Sequence, residues 1–348
     1  MAKKIRVLVV DDSMVFREAL ARGISADPGI EVVGTAADPY VARDKIIELE
    51  PDVLTLDVEM PRMNGIEFLR RLMPQYPIPV VMISALNNAV FEALQAGAVD
   101  FVCKPESNSN SNSNIRSVNT FINELITKIK IASMAKVGHK KSEYVQKQSI
   151  TSVGNGSKIK VVAIGASTGG TEAINNIIKS LPRNMPGIVI VQHMPPHFTR
   201  MYADRLNNSC ALEVREAQDG DYVQPGLVLI APGDYHMSVC RAGGHCVVKC
   251  RQGERVNGHC PSVEVLFNSV AEHYGANSAG IILTGMGYDG AKGLLAMRQK
   301  GARTIGQDER SSVVYGMPKV AFDIGAVEKQ TALEKIPAML CSVLLEKK

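Results

Sequence analysis

Short, almost wholly apolar runs recur along this chain, and each is followed by a stretch whose apolar residues keep helical spacing. In the first 105 residues the runs stand at 6–10, 31–36, 53–57, 80–84 and 100–102, with helical patterns between them, for instance at 14–24 and 39–49. Strands that are apolar at nearly every position need cover on both faces, which is the condition of a parallel sheet clothed by helices. The alternation restarts at Lys158, with strands at 159–164, 187–192 and 279–284 and helices at 171–181, 199–207, 262–273 and 290–300. The expected fold class is α/β, with two doubly wound parallel-sheet domains. The second carries a β-rich insert at about 212–251, in which 236–251 reads as a hairpin turning at Gly243-Gly244.

The stretch between the two alternations has a different character. Residues 107–114 read SNSNSNSN, offer no side chain to a core, and are expected to form a loose or disordered loop. Ile115, Val118, Phe121, Ile122, Leu125, Ile126 and Ile129 then recur at helical spacing. Residues 132–157, rich in Lys, Gly, Ser and Gln, have a linker's composition. The expected division is a first domain over 1–124, a linker over 125–157 and a second domain over 158–348.

Bulk properties narrow the function classes. A net charge of +4 over 348 residues supplies no concentrated basic stripe for nucleic acid. The apolar run near the N-terminus is short and ends in Asp11-Asp12, unlike a signal peptide, and no run approaches the ~20 apolar residues of a membrane span. Seven cysteines, an odd number, fit a reducing compartment. Cys240, Cys246, Cys250 and Cys260, with His245 and His259, lack the spacing of a zinc site. A cytoplasmic protein without nucleic-acid partners or membrane insertion is expected.

In a doubly wound sheet, ligands bind beyond the C-terminal ends of the strands. In the first domain those ends carry Asp11 and Asp12, then Asp57, then Ser84, then Lys104. Crowded carboxylates invite a cation with a preference for oxygen ligands, such as Mg²⁺. A lysine beside an acceptor carboxylate can steady an incoming phosphoryl group. The set therefore reads as an aspartate phosphorylation site.

In the second domain, Gly165-Ala-Ser-Thr-Gly169 lies between a strand and a helix and fits the G-x-S-x-G turn that lifts a serine hydroxyl out of the backbone. A phosphate-binding turn has a similar pattern. His193 ends the strand at 187–192, and Asp289 follows the strand at 279–284, so a serine, a histidine and an aspartate leave three strands at one sheet edge. The chain order Ser, His, Asp differs from the α/β-hydrolase order. His197 and His236 compete with His193, and Asp219 and Asp234 compete with Asp289, from turn or insert positions. Thr168-Gly169-Gly170 and Gly285-Met286-Gly287 offer backbone N–H groups for an oxyanion, with Thr168 and Met286 as candidates.

The acidic strand ends, with Pro61-Arg-Met-Asn-Gly65, resemble the response-regulator receiver family over about 1–124. The resemblance implies a flavodoxin-like domain with Asp57 as phosphoacceptor. It also implies Mg²⁺ on Asp11, Asp12 and Asp57 with a carbonyl near Glu59, and Ser84, Phe101 and Lys104 as switch and phosphoryl-contacting residues. Ser84 to Lys104 is shorter than in similar receivers by about one helical turn, ~4 residues, which shortens the fourth helix. In the second domain, GASTGGTEAI, QHMPPHFTRMYADRLN, APGDYHM, PSVEVLF, LTGMGYDGAKGL and VVYGMPKVA resemble the chemotaxis protein-glutamate methylesterases of the CheB type, over about 159–335.

That resemblance implies a Rossmann-like α/β/α esterase domain with Ser167 as nucleophile, His193 as general base and acid, and Asp289 as its orienter. Its substrates would be methyl-accepting chemotaxis receptors, demethylated with release of methanol and deamidated at specific glutamines. Its phosphodonor would be the histidine kinase of the chemotaxis system. Mg²⁺ would serve receiver phosphorylation, with no cofactor for ester hydrolysis. Tyr288 stands where many relatives carry asparagine, and the chain ends LLEKK without an aromatic-acidic docking peptide. The unphosphorylated receiver is expected to lie across the strand ends of the esterase domain and limit access to Ser167. A receiver joined to a DNA-binding output would instead show a basic helix-turn-helix after the linker. A catalytically dead scaffold would lack part of the triad.

Overall fold

A computed structural model describes residues 3–85, 89–105, 111–138 and 158–346, with the side chains of 111–117 outside the description. Contacts divide the chain into two compact units, Met1–Lys141 and Ser142–Lys348. The first alternates β1 (Ile5–Val10), α1 (Met14–Ile24), β2 (Ile30–Ala36), α2 (Pro39–Leu49), β3 (Val53–Asp57), α3 (Gly65–Leu72), β4 (Val80–Ser84), α4 (Ala89–Gln95), β5 (Asp100–Cys103) and α5 (Ser111–Ala132). All five strands pair in parallel in the order β2-β1-β3-β4-β5. Every residue of β3 and β4 is buried, as expected for strands covered on both faces. The helices start where short polar side chains can accept their free N–H groups. Ser13 accepts from Phe16, Asp38 from Tyr40 and Val41, and Asn64 from Glu67.

Two expectations for this region change. Residues 107–110 of the SNSN run lie outside the described residues, but Ser111–Asn114 belong to the first turn of α5 rather than to a loop. Serine and asparagine are favoured around helix starts, and the amphipathic run behind them supplies the packing that extends the helix. Helix α5 continues past position 124 to Ala132, while residues 139–157 of the expected linker lie outside the described residues. The described part of helix α4, Ala89–Gln95, has 7 residues.

The second unit runs β6 (Val161–Ala166), α6 (Gly170–Lys179), β7 (Gly187–Gln192), α7 (Phe198–Asn207), β8 (Glu213–Glu216), β9 (Leu227–Ile230), β10 (His236–Ala242), β11 (His245–Arg251), α8 (Val263–His273), β12 (Ser278–Ile282), α9 (Ala291–Gln299), β13 (Arg303–Gln307), α10 (Met317–Asp323), β14 (Lys329–Thr331) and α11 (Ile336–Leu345). Among the described residues, a seven-stranded parallel sheet has the order β14-β13-β12-β6-β7-β9-β8, and β10 and β11 form a separate antiparallel pair. The expected insert is therefore smaller than 212–251. Strands β8 and β9 join the parallel sheet, because Leu-Val-Leu-Ile in β9 is buried throughout and needs two covered faces. Only the 236–251 hairpin stands apart. No described helix is long and apolar enough to cross a membrane.

Strand β6 continues to Ala166, so Gly165 is a strand residue rather than part of a turn. It is glycine because α8 packs onto it: a Cβ there would stand 2.2 Å from Val263 Cγ1. Gly165→Ala should destabilise the second unit by about 1–3 kcal/mol through overpacking. Hydrogen exchange should show protection falling within 158–346, with the first unit unaffected.

Candidate active site and phosphorylation pocket

Because β6 lies between β12 and β7, the loops leaving the C-terminal ends of these three strands are neighbours. Ser167 follows β6, His193 follows β7, and Asp289 lies between β12 and α9. Backbone bonds join the loops: the Ser167 N–H donates to the Thr284 carbonyl at 3.0 Å, and the His193 N–H to the Ala166 carbonyl at 3.1 Å. Gln192 Nε2 adds a bridge, donating to the carbonyls of Ser167 at 2.9 Å and His193 at 3.2 Å. The chain turns at the serine, where the Gly170 N–H donates to the Ser167 carbonyl at 2.7 Å, and α6 begins directly after it. A Cβ on Gly285 would stand 2.7 Å from Ser167 Cβ, so only glycine lets the 285–287 turn lie against the serine.

His193 Nε2 lies 2.9 Å from Asp289 Oδ2. The Asp289 carboxylate is buried and collects further donors. Asn257 Nδ2 at 2.9 Å and Ser262 Oγ at 2.8 Å donate to Oδ1, and the Val263 N–H at 2.7 Å donates to Oδ2. The Glu264 N–H reaches Oδ1 at 3.3 Å. Val263 and Glu264 begin α8, so the carboxylate sits on the positive end of that helix. Burial alone would push the Asp289 carboxyl up; hydrogen bonds and charge from His193, with the bonds from Asn257 and Ser262, outweigh it and bring it down to about 2. Asp289 therefore stays ionised and fixes the imidazole with Nδ1 as the remaining nitrogen. That Nδ1 is buried and has no hydrogen-bond partner among the described residues.

Two of the competing residues, His236 and Asp219, are engaged elsewhere. His236 places Nε2 2.8 Å from the Glu254 carbonyl, and its Nδ1 accepts from the Ser262 N–H at 3.3 Å. His197 and Asp234 adopt positive φ at turns, and Asp219 accepts from the Cys250 N–H at 3.0 Å at the hairpin. Thr168 is buried, with its carbonyl accepting from the Thr284 hydroxyl at 3.0 Å. Met286 is 38% exposed, and its N–H donates to no group among the described residues. Tyr288 is exposed on the same loop.

Strand-end reasoning missed Asn257, His259, Ser262 and the bridging Gln192. His259 lies flat on His193, with ring centroids 3.7 Å apart and planes 10° apart. Two local signals pointed toward this segment: Asn257-Gly258 is a two-residue turn pair, and Ser262 precedes a helical run with Glu264 behind it.

In the first unit, Asp11, Asp57, Ser84 and Lys104 meet at the ends of β1, β3, β4 and β5. Lys104 Nζ lies 2.6 Å from Asp57 Oδ2 and 3.0 Å from Asp11 Oδ2. Carboxylate oxygens of Asp11, Asp12 and Asp57 all lie within 4.8 Å of one another. Three hard oxygen donors, with Asp12 open to solvent, fit a cation that keeps part of its water shell, as Mg²⁺ does. Burial pushes the Asp57 carboxyl up to about 6; Lys104 opposes this, and the nearby Asp11 charge adds to it. Ser84 and Phe101 are buried, and Lys128 Nζ lies 5.1 Å from the Phe101 ring centroid.

Residues 162–340 match the family described as CheB methylesterase, and residues 7–116 match the response regulator receiver domain. The chain is 60% identical over 342 residues to a protein-glutamate methylesterase/protein-glutamine glutaminase 2 of Syntrophomonas wolfei, covering 98% of each chain. It is 53% identical to a protein of the same description from Syntrophotalea carbinolica, covering 100% of each. The crystal structure of the Thermotoga maritima CheB methylesterase catalytic domain aligns with a TM-score of 0.52 at 39% identity, covering 53% of this chain and 98% of that one. With matches over both units and along nearly its whole length, the chain belongs to the CheB methylesterase family, a receiver domain preceding the esterase domain.

Proposed function

We propose that this chain is a phosphorylation-activated serine hydrolase acting on methyl-accepting chemotaxis receptors. It hydrolyses methyl esters of receptor glutamates and deamidates receptor glutamines to glutamate. The observation that carries this reading is the ionised Asp289 holding His193 at the strand end beside Ser167. The activities for which the relatives that match along nearly the whole chain are named support the same chemistry. We assign the receiver to the first unit as far as the end of α5 at Ala132, the linker to the residues from there to 157 and the esterase to 158–348, and place the protein in the cytoplasm with its phosphodonor, the chemotaxis histidine kinase.

Ser167 Oγ attacks the ester carbonyl carbon while its proton passes to His193 Nδ1, and Asp289 stabilises the imidazolium. The Met286 N–H, with the Thr168 turn at the start of α6, faces the oxyanion. The bond to the methoxy oxygen breaks, His193 returns the proton, and methanol leaves an acyl-Ser167. Water then attacks the acyl carbon and gives its proton to His193, which passes it to Ser167 as the glutamate carboxylate departs. With glutamine the C–N bond breaks instead and ammonia leaves.

In the receiver, Asp57 accepts the phosphoryl group, Lys104 contacts it, and Ser84 and Phe101 respond to it. Asp11, Asp12 and Asp57 would hold Mg²⁺, which offsets the charge gathered during phosphoryl transfer.

Ser167→Ala should lower methanol release from methylated receptor by about 10⁴-fold or more while Asp57 still takes up phosphate; retained methanol release would remove Ser167 from the mechanism. In Asp57→Asn the ratio of hydrolysis with and without a small phosphodonor should fall to about one, and an undiminished ratio would exclude Asp57 as the switch. The lowered Asp289 carboxyl makes a further prediction. Its contribution, about 2–3 kcal/mol, is fully present above the unfolded value of about 4 and is lost as pH falls toward about 2. Acid unfolding curves of the wild type and Asp289→Asn should therefore converge over that window. Curves that stay parallel throughout it would contradict the assignment.

A further inference from the structure

The segment before α8 delivers a second imidazole to the site by a purely local rule. Val256 and His259 exchange both backbone hydrogen bonds at 3.0 Å, and the residues between them, Asn257 and Gly258, have φ of 54° and 85°. This is the two-residue turn that Asn-Gly favours, with both central residues at positive φ. Its geometry leaves little freedom at either end. Asn257 thereby reaches Asp289 Oδ1, and His259 is laid on the face of His193.

The stack is close and nearly parallel, at 3.7 Å and 10°. The hydrogen bond to Asp289 fixes His193 at one point within its ring plane but leaves it free to swing about that point. A flat neighbour on one face removes that motion. Burial, followed by the nearby His193, pushes His259 down to about 4, so it is a neutral ring at ordinary pH. A neutral aromatic face against an imidazole that becomes cationic during proton transfer favours the charged form.

We propose that His259 is a positioning residue for hydrolysis, its ring fixing the plane of His193 and stabilising His193 while it carries the serine proton. The proposal rests on His193 being the base, so the test includes that residue. Full-length His259→Ala, His259→Gln, His259→Phe and His193→Ala are compared with wild type for kcat and KM of methyl-ester hydrolysis and for thermal unfolding.

His259→Ala and His259→Gln should each lose roughly 10-fold in kcat with KM within about 2-fold, the scale of a desolvated cation–ring contact. His259→Phe, which keeps a ring and loses both nitrogens, should recover most of the loss. The proposal is overturned if the ring-less variants keep wild-type kcat, if KM alone changes, or if Phe is as poor as Gln. If His259→Ala does not fold, the Gln and Phe pair decides alone. Near-wild-type activity in His193→Ala would overturn the base assignment, and with it this proposal. Inactivity in His193→Ala with no effect in the His259 set would overturn this proposal only.

Discussion

One carboxylate ties together parts of the second unit that lie far apart in the chain. Asp289 follows β12, yet its donors are His193 after β7, Asn257 in a loop turn, and Ser262 and Val263 at the head of α8. An ionised carboxylate this deeply buried is tolerable only where donors surround it. The same set that satisfies it also fixes the start of α8, the path of the 256–263 segment and the Nε2 end of the His193 ring. Any of these elements could shift alone only by leaving a buried charge short of a partner. The arrangement of His193 beside Ser167 is therefore held by the cost of unpairing Asp289 more than by the contacts that Ser167 itself makes.

The two units share a parallel-sheet architecture and differ in their electrostatics. Each places an aspartate at the C-terminal edge of a parallel sheet, where the chain offers loops and helix starts. Asp57 shares its pocket with Asp11 and Asp12, and a single lysine does not balance the crowding and burial that raise it. Asp289 has several donors, His193 foremost, and it is lowered despite its burial. The first arrangement suits a group that is to gain a cation and a phosphoryl group, and whose pocket is unbalanced until it does. The second suits a group that keeps its charge while a proton moves beside it. The number of donors around each carboxylate sets the difference, not the depth at which it lies.

What could be read from the sequence follows the range of the forces involved. Apolar runs report burial on both faces, so the strands appeared with nearly their observed limits, and residues at strand ends could be grouped by topology alone. Ser167, His193 and Asp289, like Asp11, Asp57 and Lys104, are such residues. Strands β8 and β9 were harder to place because their short crossover carries no helix, and nothing local distinguishes a parallel neighbour from an insert. Gly165 looked like a turn glycine because its actual constraint, the side chain of Val263 pressing on β6, comes from a helix about a hundred residues later. Asn257, His259 and Ser262 reach the site from a polar loop whose composition resembles any solvated loop. The Asn-Gly pair there announced a turn, but which atoms the turn would present to Asp289 and His193 depends on where α8 docks. That docking is set in turn by Asp289 at the head of the helix, so the two features specify each other and neither is visible without the folded whole.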